Sequence, residues 1–288
     1  MIRLNGYRVE DLRFPDNTLR LLPDSCEYLH MLTDAQDAVD AFGGDFLLYW
    51  SYEDPAEMAI LHALTYHLRD ALSANSIGLA MPYIPNARMD RTHNPGEVHT
   101  LKYFCRFIND LHFKYVMIMD PHSDVSTGML DRTVLIDPAD LVIRAMNTSK
   151  ANYFFFPDAG AAKRYAPVYN YRPYLVGEKD RDWATGQING LVVKNPMNLA
   201  DDFQDKTILI IDDICSRGGT FLHAGKALKK MGFGEIDLCV THCEKTIFAG
   251  KLLADDSPIN HIFTTDTIFR GEHDKISVMN IEVGEVHD

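Results

Sequence analysis

Short apolar runs rich in β-forming residues recur along this chain, and each leads into a stretch whose apolar residues keep helical spacing. Few architectures accept that alternation. A strand, a helix and a second strand in succession favour a parallel sheet covered by its own connecting helices. Residues 45–52, DFLLYWSY, read as a buried strand. They lead into 55–75, where Met58, Leu61, Leu64, Leu68 and Leu72 fall at helical intervals and Pro55 suits a first turn. A strand over 76–82, a helix over 98–111 and a strand over 115–120 follow. The pattern changes across 137–152, and a second series opens with a strand at 153–156. Further strands are expected at 174–177, 190–194, 207–211, 235–241 and 261–264, with a helix over 221–231 stopped by Gly232. The chain therefore reads as two α/β halves, 1–140 and 141–270. A last strand is expected within 276–283, and the tail 271–288 is a candidate to return to the first half.

A length of 288 residues suffices for two modest domains. The formal net charge of −13 argues against general nucleic-acid binding, which needs a broad basic surface. A small anion remains acceptable, because a few cations can converge locally in an acidic chain. The five cysteines form no CxxC pair and no zinc spacing, so they read as reduced thiols of a cytoplasmic protein. The start, MIRLNGYRVEDLRF, lacks the apolar core of a signal peptide. No apolar run reaches the roughly 18–20 residues that span a bilayer, so no membrane partner is expected.

The most informative segment is 208–220, ILIIDDICSRGGT. Four β-favouring residues deliver two carboxylates, Asp212 and Asp213, to the end of a strand, and a glycine-bearing turn then opens a helix. Ligands of open parallel sheets bind beyond the carboxyl ends of the strands. Gly218 and Gly219 permit close backbone approach, and the free N–H groups of a helix start favour phosphate. The aspartates suit sugar hydroxyls or magnesium. A lone DD or GG would mark only a strand and a turn; the ordered combination says more.

That combination resembles the phosphoribosyl-diphosphate (PRPP) binding motif shared by type I phosphoribosyltransferases and PRPP synthetases. Other segments resemble the synthetases in particular, in the family's order, from about residue 13 to 280. FFFPDAGAAKRYA at 154–166 is similar to the family's PDxG…KR segment, with Asp158, Lys163 and Arg164. PYIPNARMDR at 82–91 is similar to PYxPYARQDR, giving Arg88, Asp90 and Arg91. MIMDPH at 117–122 resembles the family's strand-end DLH and gives Asp120 and His122. RFPDNT at 13–18 resembles RFxDGE, with Phe14 and Asp16 matching and Asn17 and Thr18 departing. VGEKDR at 176–181 resembles the KxR pair of the catalytic flexible loop, giving Lys179 and Arg181, and the polar DWATGQING beyond it suits a mobile lid.

The resemblance implies two tandem Rossmann-like domains of the type I phosphoribosyltransferase fold with parallel sheets. It implies diphosphate transfer from Mg-ATP to the 1-hydroxyl of a ribose 5-phosphate unit, giving AMP. Phe14, Asp16, Arg88, Asp90, Arg91 and His122 would hold ATP, and His122 and Asp158 magnesium. Asp212, Asp213, Ser216, Arg217, Gly218, Gly219 and Thr220 would hold the ribose phosphate. Lys179 and Arg181 would stabilise charge on the transferring phosphoryl oxygens. A homo-oligomer, dimer or hexamer, is implied in the same way.

Two departures stand out. Ser216 and Arg217 occupy positions where the family has Asp and Thr, which makes the phosphate end of the loop more positive. Ribose 5-phosphate does not require that change. ADP-ribose, whose 5′ end continues into a diphosphate, would use it, and some viral relatives pyrophosphorylate ADP-ribose in rebuilding NAD. Both acceptors stay open at this point. The family's basic regulatory stretch after Arg91 is replaced by THNPGEVHT, so weak inhibition by ADP or phosphate is expected. Two alternatives remain: a phosphoribosyltransferase, and a non-catalytic synthetase-associated regulatory protein.

Overall fold

The computed structural model describes residues 1–16, 18–34, 45–72, 74–92, 94–169, 172–181, 188–199 and 202–281. The chain forms two compact units, of which the first is Met1–Ile136 and the second Asp137–Ile281.

In the first unit, β1 (Ile2–Leu4), β2 (Tyr7–Val9), β5 (Asp45–Trp50), β6 (Ser76–Ala80), β7 (Val116–Met119) and β8 (Thr133–Ile136) make one sheet in the order β2-β1-β5-β6-β7-β8. From β5 to β8 the neighbours are parallel, whereas β1 runs antiparallel to both β2 and β5. The hairpin of β3 (Asp11–Arg13) and β4 (Leu19–Leu21) stands as a separate two-stranded ribbon. Helices α1 (Pro23–Asp34), α2 (Glu57–Asp70), α3 (Thr100–Asp110) and α4 (Asp124–Met129) complete the unit.

The predicted stripe on α2 explains its packing. Leu61, Leu64 and Leu68 are buried beside Trp50 and Leu48 of β5, each burial stabilising by about 1.5–3 kcal/mol. At the start of α2, Glu57 is buried but well partnered: it accepts from Trp50 Nε1 at 2.9 Å and pairs with the N-terminal amine of Met1. That pairing holds the chain's first strand against β5.

In the second unit, β9 (Tyr153–Phe156), β10 (Tyr174–Arg181), β11 (Ile188–Lys194), β12 (Thr207–Cys215), β13 (Glu235–Cys243), β14 (Ile262–Thr265) and β15 (Ile276–Met279) form a sheet in the order β11-β10-β9-β12-β13-β14-β15. All neighbours are parallel except β10 and β11. Helices α5 (Ala139–Ser149), α6 (Ala159–Tyr165) and α7 (Gly219–Lys230) connect or cover the strands. Alternate residues of β12 serve opposite faces: Ile208 and Ile210 join α7 residues Phe221, Ala224 and Leu228 in one core. Leu209 and Ile211 join α5 residues Leu141, Val142 and Ala145 in the other. From β9 the chain goes to β10 on one side, while β12 lies on the other, so the order in which strands are added reverses between β9 and β12. Such a reversal is where an open α/β sheet offers a crevice to a ligand.

The mixed α/β class holds, but several elements differ from expectation. β12 runs through Asp212 and Asp213 to Cys215 rather than ending at 211. β10 runs through Lys179 and Arg181, so the backbone expected as a flexible loop is a strand paired with β11, with an irregular register between Asp180 and Arg181. The last strand, Ile276–Met279, pairs with β14 in the second sheet. Both sheets carry antiparallel edge strands, so neither is wholly parallel. Among the described residues, no helix is long and apolar enough to cross a membrane.

Candidate functional site

The carboxyl ends of β9 and β12 bring together three acidic residues, Asp158, Asp212 and Asp213. Asp158 follows β9 and caps α6, its Oδ1 accepting from Ala161 N at 3.0 Å. Asp213 is buried near the end of β12, with Arg164 of α6 reaching its Oδ1 at 3.5 Å. A buried carboxylate needs such a partner, so the Arg164 of the KR pair is not merely a solvated charge. Lys163 is exposed.

Asp212 is half-buried and its Oδ1 accepts from Asp213 N at 3.0 Å. Burial, then the neighbouring Asp213 charge, hold its carboxyl well above the ordinary carboxylate range, and Asp158 adds a smaller push. Three carboxylates close enough to repel one another make a place that gains from hydroxyl donors or a cation. Among the described residues no three His, Cys, Asp or Glu side chains form a metal-binding group. Magnesium asks less than that, commonly one or two carboxylates completed by substrate phosphates and water, and Asp158, Asp212 and Asp213 meet that demand.

Beyond β12 the chain turns through Ser216, Arg217 and Gly218 into α7. Gly218 has φ 74°, a left-handed conformation that favours glycine. A side chain there would also meet Leu252, whose Cδ1 lies 2.0 Å from the position of an added Cβ. The first amides of α7 face the turn, as phosphate binding at a helix start requires. Arg217 is exposed, and its side chain has no hydrogen-bond or ion-pair partner among the described residues.

The segment that follows β13 braces this turn. Glu244 N donates to Cys215 O at 2.8 Å. Gly250 lies so close that an added Cβ would be 2.2 Å from the carbonyl oxygen of Arg217. Leu252 fills the space beneath Gly218. Sequence reading missed Gly250 and Leu252, for no local motif marks them. It also missed a buried polar cluster at the ends of β13 and β14: His242 Nδ1 and Thr267 Oγ1 are 2.8 Å apart, and Thr265 Oγ1 lies 2.8 Å from Thr267 Oγ1 and donates to Thr241 O at 2.6 Å. These bonds tie the ends of neighbouring strands together beside the turn.

In the first unit, the loop after β6 and the end of β7 are joined by Met119 N donating to Pro82 O at 2.9 Å. Ile84 and Ala87 anchor the loop in the core, leaving Arg88 and Arg91 exposed. Arg91 Nε lies 3.3 Å from Asp90 Oδ1. Asp120 is buried with φ 41°, and His122 is half-buried. Phe14 and Asp16 sit at the tip of the β3–β4 hairpin; Phe14 is 41% exposed, and Asp16 accepts from Thr18 N at 2.9 Å. That bond holds the Asp16 carboxyl below its usual range. Asn17, His93 and residues 182–187 of the expected lid lie outside the described residues, as do the side chains of Lys179 and Arg181.

Residues 161–265, all within the second unit, match the phosphoribosyl transferase domain family. Beyond that unit, the ribose-phosphate pyrophosphokinase of Pyrococcus abyssi is 27% identical over 286 residues, covering 93% of this chain and 90% of the relative. The enzyme of the same name from Saccharolobus solfataricus is 23% identical over 266 residues, covering 90% and 87%. The chain is similar to the ribose-phosphate pyrophosphokinases over nearly its whole length. Its fold agrees: the crystal structure of phosphoribosylpyrophosphate synthetase from Mycobacterium smegmatis superposes with a TM-score of 0.69 over 95% of this chain and 86% of that one, at 17% identity. Both units take part in these likenesses, whereas the transferase domain accounts for the second alone.

Proposed function

We propose that the chain transfers the β,γ-diphosphate of Mg-ATP to the 1-hydroxyl of a ribose 5-phosphate unit. The hydroxyl oxygen bonds to the β-phosphorus, the bond from that phosphorus to the oxygen of AMP breaks, AMP leaves, and the hydroxyl proton passes to solvent. The single observation that carries this reading is the β12 turn: two adjacent aspartates, a left-handed glycine and a helix start in direct succession. Asp212 and Asp213 accept from the ribose hydroxyls, which relieves their mutual repulsion. The amides of 216–220 take the 5′-phosphate. Phe14, Asp16, Arg88, Asp90, Arg91 and His122 hold ATP, Arg88 and Arg91 through donors suited to its phosphates. Lys179 and Arg181 stabilise the charge that builds during transfer. Magnesium, when bound, neutralises the phosphates of ATP; Asp158 and the Asp212–Asp213 pair are the carboxylates of the second unit that would hold it. A homo-oligomer belongs to the same reading.

For the acceptor, we favour ADP-ribose beside ribose 5-phosphate. The unpartnered Arg217 supports this, because the turn's amides already serve one phosphate and a second would use the guanidinium. Incubating the purified chain with Mg-ATP and each acceptor, and weighing the products, tests both statements. AMP and an acceptor 1-diphosphate are expected, with ADP-ribose at least matching ribose 5-phosphate. A chain that releases no AMP, yet consumes PRPP with a nucleobase, would be a phosphoribosyltransferase. Strong preference for ribose 5-phosphate would remove the ADP-ribose reading alone.

A further inference from the structure

The 244–252 segment does more than support the phosphate turn. Its Lys245–Ala249 3-10 turn buries Ile247 and leaves Phe248 43% exposed. The Phe248 ring is stacked on Phe269, with centroids 5.9 Å apart and planes 27° from parallel. It also lies where a Cβ on Gly271 would come within 2.8 Å of it. Phe269 is itself buried. Phe248 is thus a ring backed by core residues with an open side, two positions from the glycine that touches Arg217.

The same edge carries Arg217, Lys245 and Lys251, all exposed, and none has a side-chain hydrogen bond or ion pair among the described residues. Three cations on these two adjoining segments, none with a side-chain partner among the described residues, stand out in a chain of net charge −13. One 5′-phosphate does not need them, since the amides at the start of α7 already suit it.

We infer that this edge is a distal acceptor subsite, which takes the second phosphate and the purine of a ribose joined through a diphosphate to a nucleoside. Arg217 and Lys251 receive the second phosphate, and the base stacks on Phe248. Aromatic platforms hold bases in this way whatever their hydrogen-bonding edges. The inference rests on the proposed acceptor reading and adds the residues that discriminate between acceptors.

The test is a calorimetric comparison of ADP-ribose and ribose 5-phosphate binding to the wild-type chain, Phe248→Ala, Phe248→Trp and Lys251→Ala. The quantity read is the ratio of the two affinities. Phe248→Ala is expected to lower the preference for ADP-ribose roughly tenfold, Lys251→Ala to lower it less, and Phe248→Trp to retain it. Continued binding of ribose 5-phosphate reports an intact fold. An unchanged ratio in Phe248→Ala overturns the subsite, and so does an equal loss of both ligands. A wild-type chain that binds ribose 5-phosphate but not ADP-ribose also overturns it while leaving the transferase reading in place. Binding of neither ligand defeats the underlying reading together with the subsite.

Discussion

Asp237 shows how strongly one buried carboxyl can mark the pH response of this protein. It lies on β13, 6% exposed, and its Oδ1 accepts from His261 N at 3.0 Å. Burial outweighs that bond and raises its carboxyl from 3.8 to about 6. A folded-state value above the unfolded one means that the contribution to stability is full below about pH 4 and is lost as the pH rises through about 6. Asp237→Asn keeps an acceptor for His261 and carries no charge. The variant should therefore be more stable than the wild type by roughly 1–3 kcal/mol at pH 7 and show no advantage at pH 4. Urea unfolding at pH 4, 5.5 and 7 checks this, and a gap that stays constant across the three would refute the assignment. Asp212 follows the same sign, but its placement beside Asp213 ties its protonation to the site rather than to the core.

At the scale of elements, the phosphate turn and its brace make one unit of structure. Gly250→Ala would put a methyl group 2.2 Å from the Arg217 carbonyl, against backbone that no rotamer change can move. We expect a loss of about 1–3 kcal/mol and at least tenfold weaker acceptor binding, read by denaturation and calorimetry. Gly219→Ala is the steric contrast, since nothing lies within 4 Å of an added Cβ there, and its melting temperature should hardly move. The difference between these glycines also shows what sequence could and could not convey. The DD and GG of 208–220 are legible because the motif is contiguous and its parts act on one another. Gly250 is not, because its requirement arises from a neighbour more than thirty residues away, brought close by the β12–β13 pairing. Strand length is illegible for related reasons. The polar Asp212 and Asp213 interrupt the apolar run, yet the ladder continues to Cys215 opposite Cys243. The charges of VGEKDR suggest a loop, but an antiparallel edge ribbon can expose them and remain a strand. Strands of three residues, such as β1 to β4, are too short to display a period.

At the scale of the molecule, each unit has its own core. The cluster around Trp50, Leu61 and Leu79 draws only on the first, and the clusters on the two faces of β12 draw only on the second. A fragment of residues 137–281 should accordingly fold alone, melting cooperatively with a far-ultraviolet spectrum of mixed helix and sheet. Broad, non-cooperative melting would show that its cores depend on the rest of the chain. The change of pattern across 137–152 is legible because a helix there opens a new strand series. The home of the last strand is not, because ISVM is short and only partly buried, and so fits the edge of either sheet. Only the pairing of Ile262 with Ile276 decides it.

The brace also sets an order of events for the newly made chain. The turn after β12 takes its shape from Glu244, Gly250 and Leu252, so it must wait for β13 to be synthesised and to dock. A chain halted on the ribosome after Lys230 would carry every residue of ILIIDDICSRGGT and still lack the support that shapes this turn. On the proposed reading, acceptor recognition therefore follows the docking of β13 and of the segment after it.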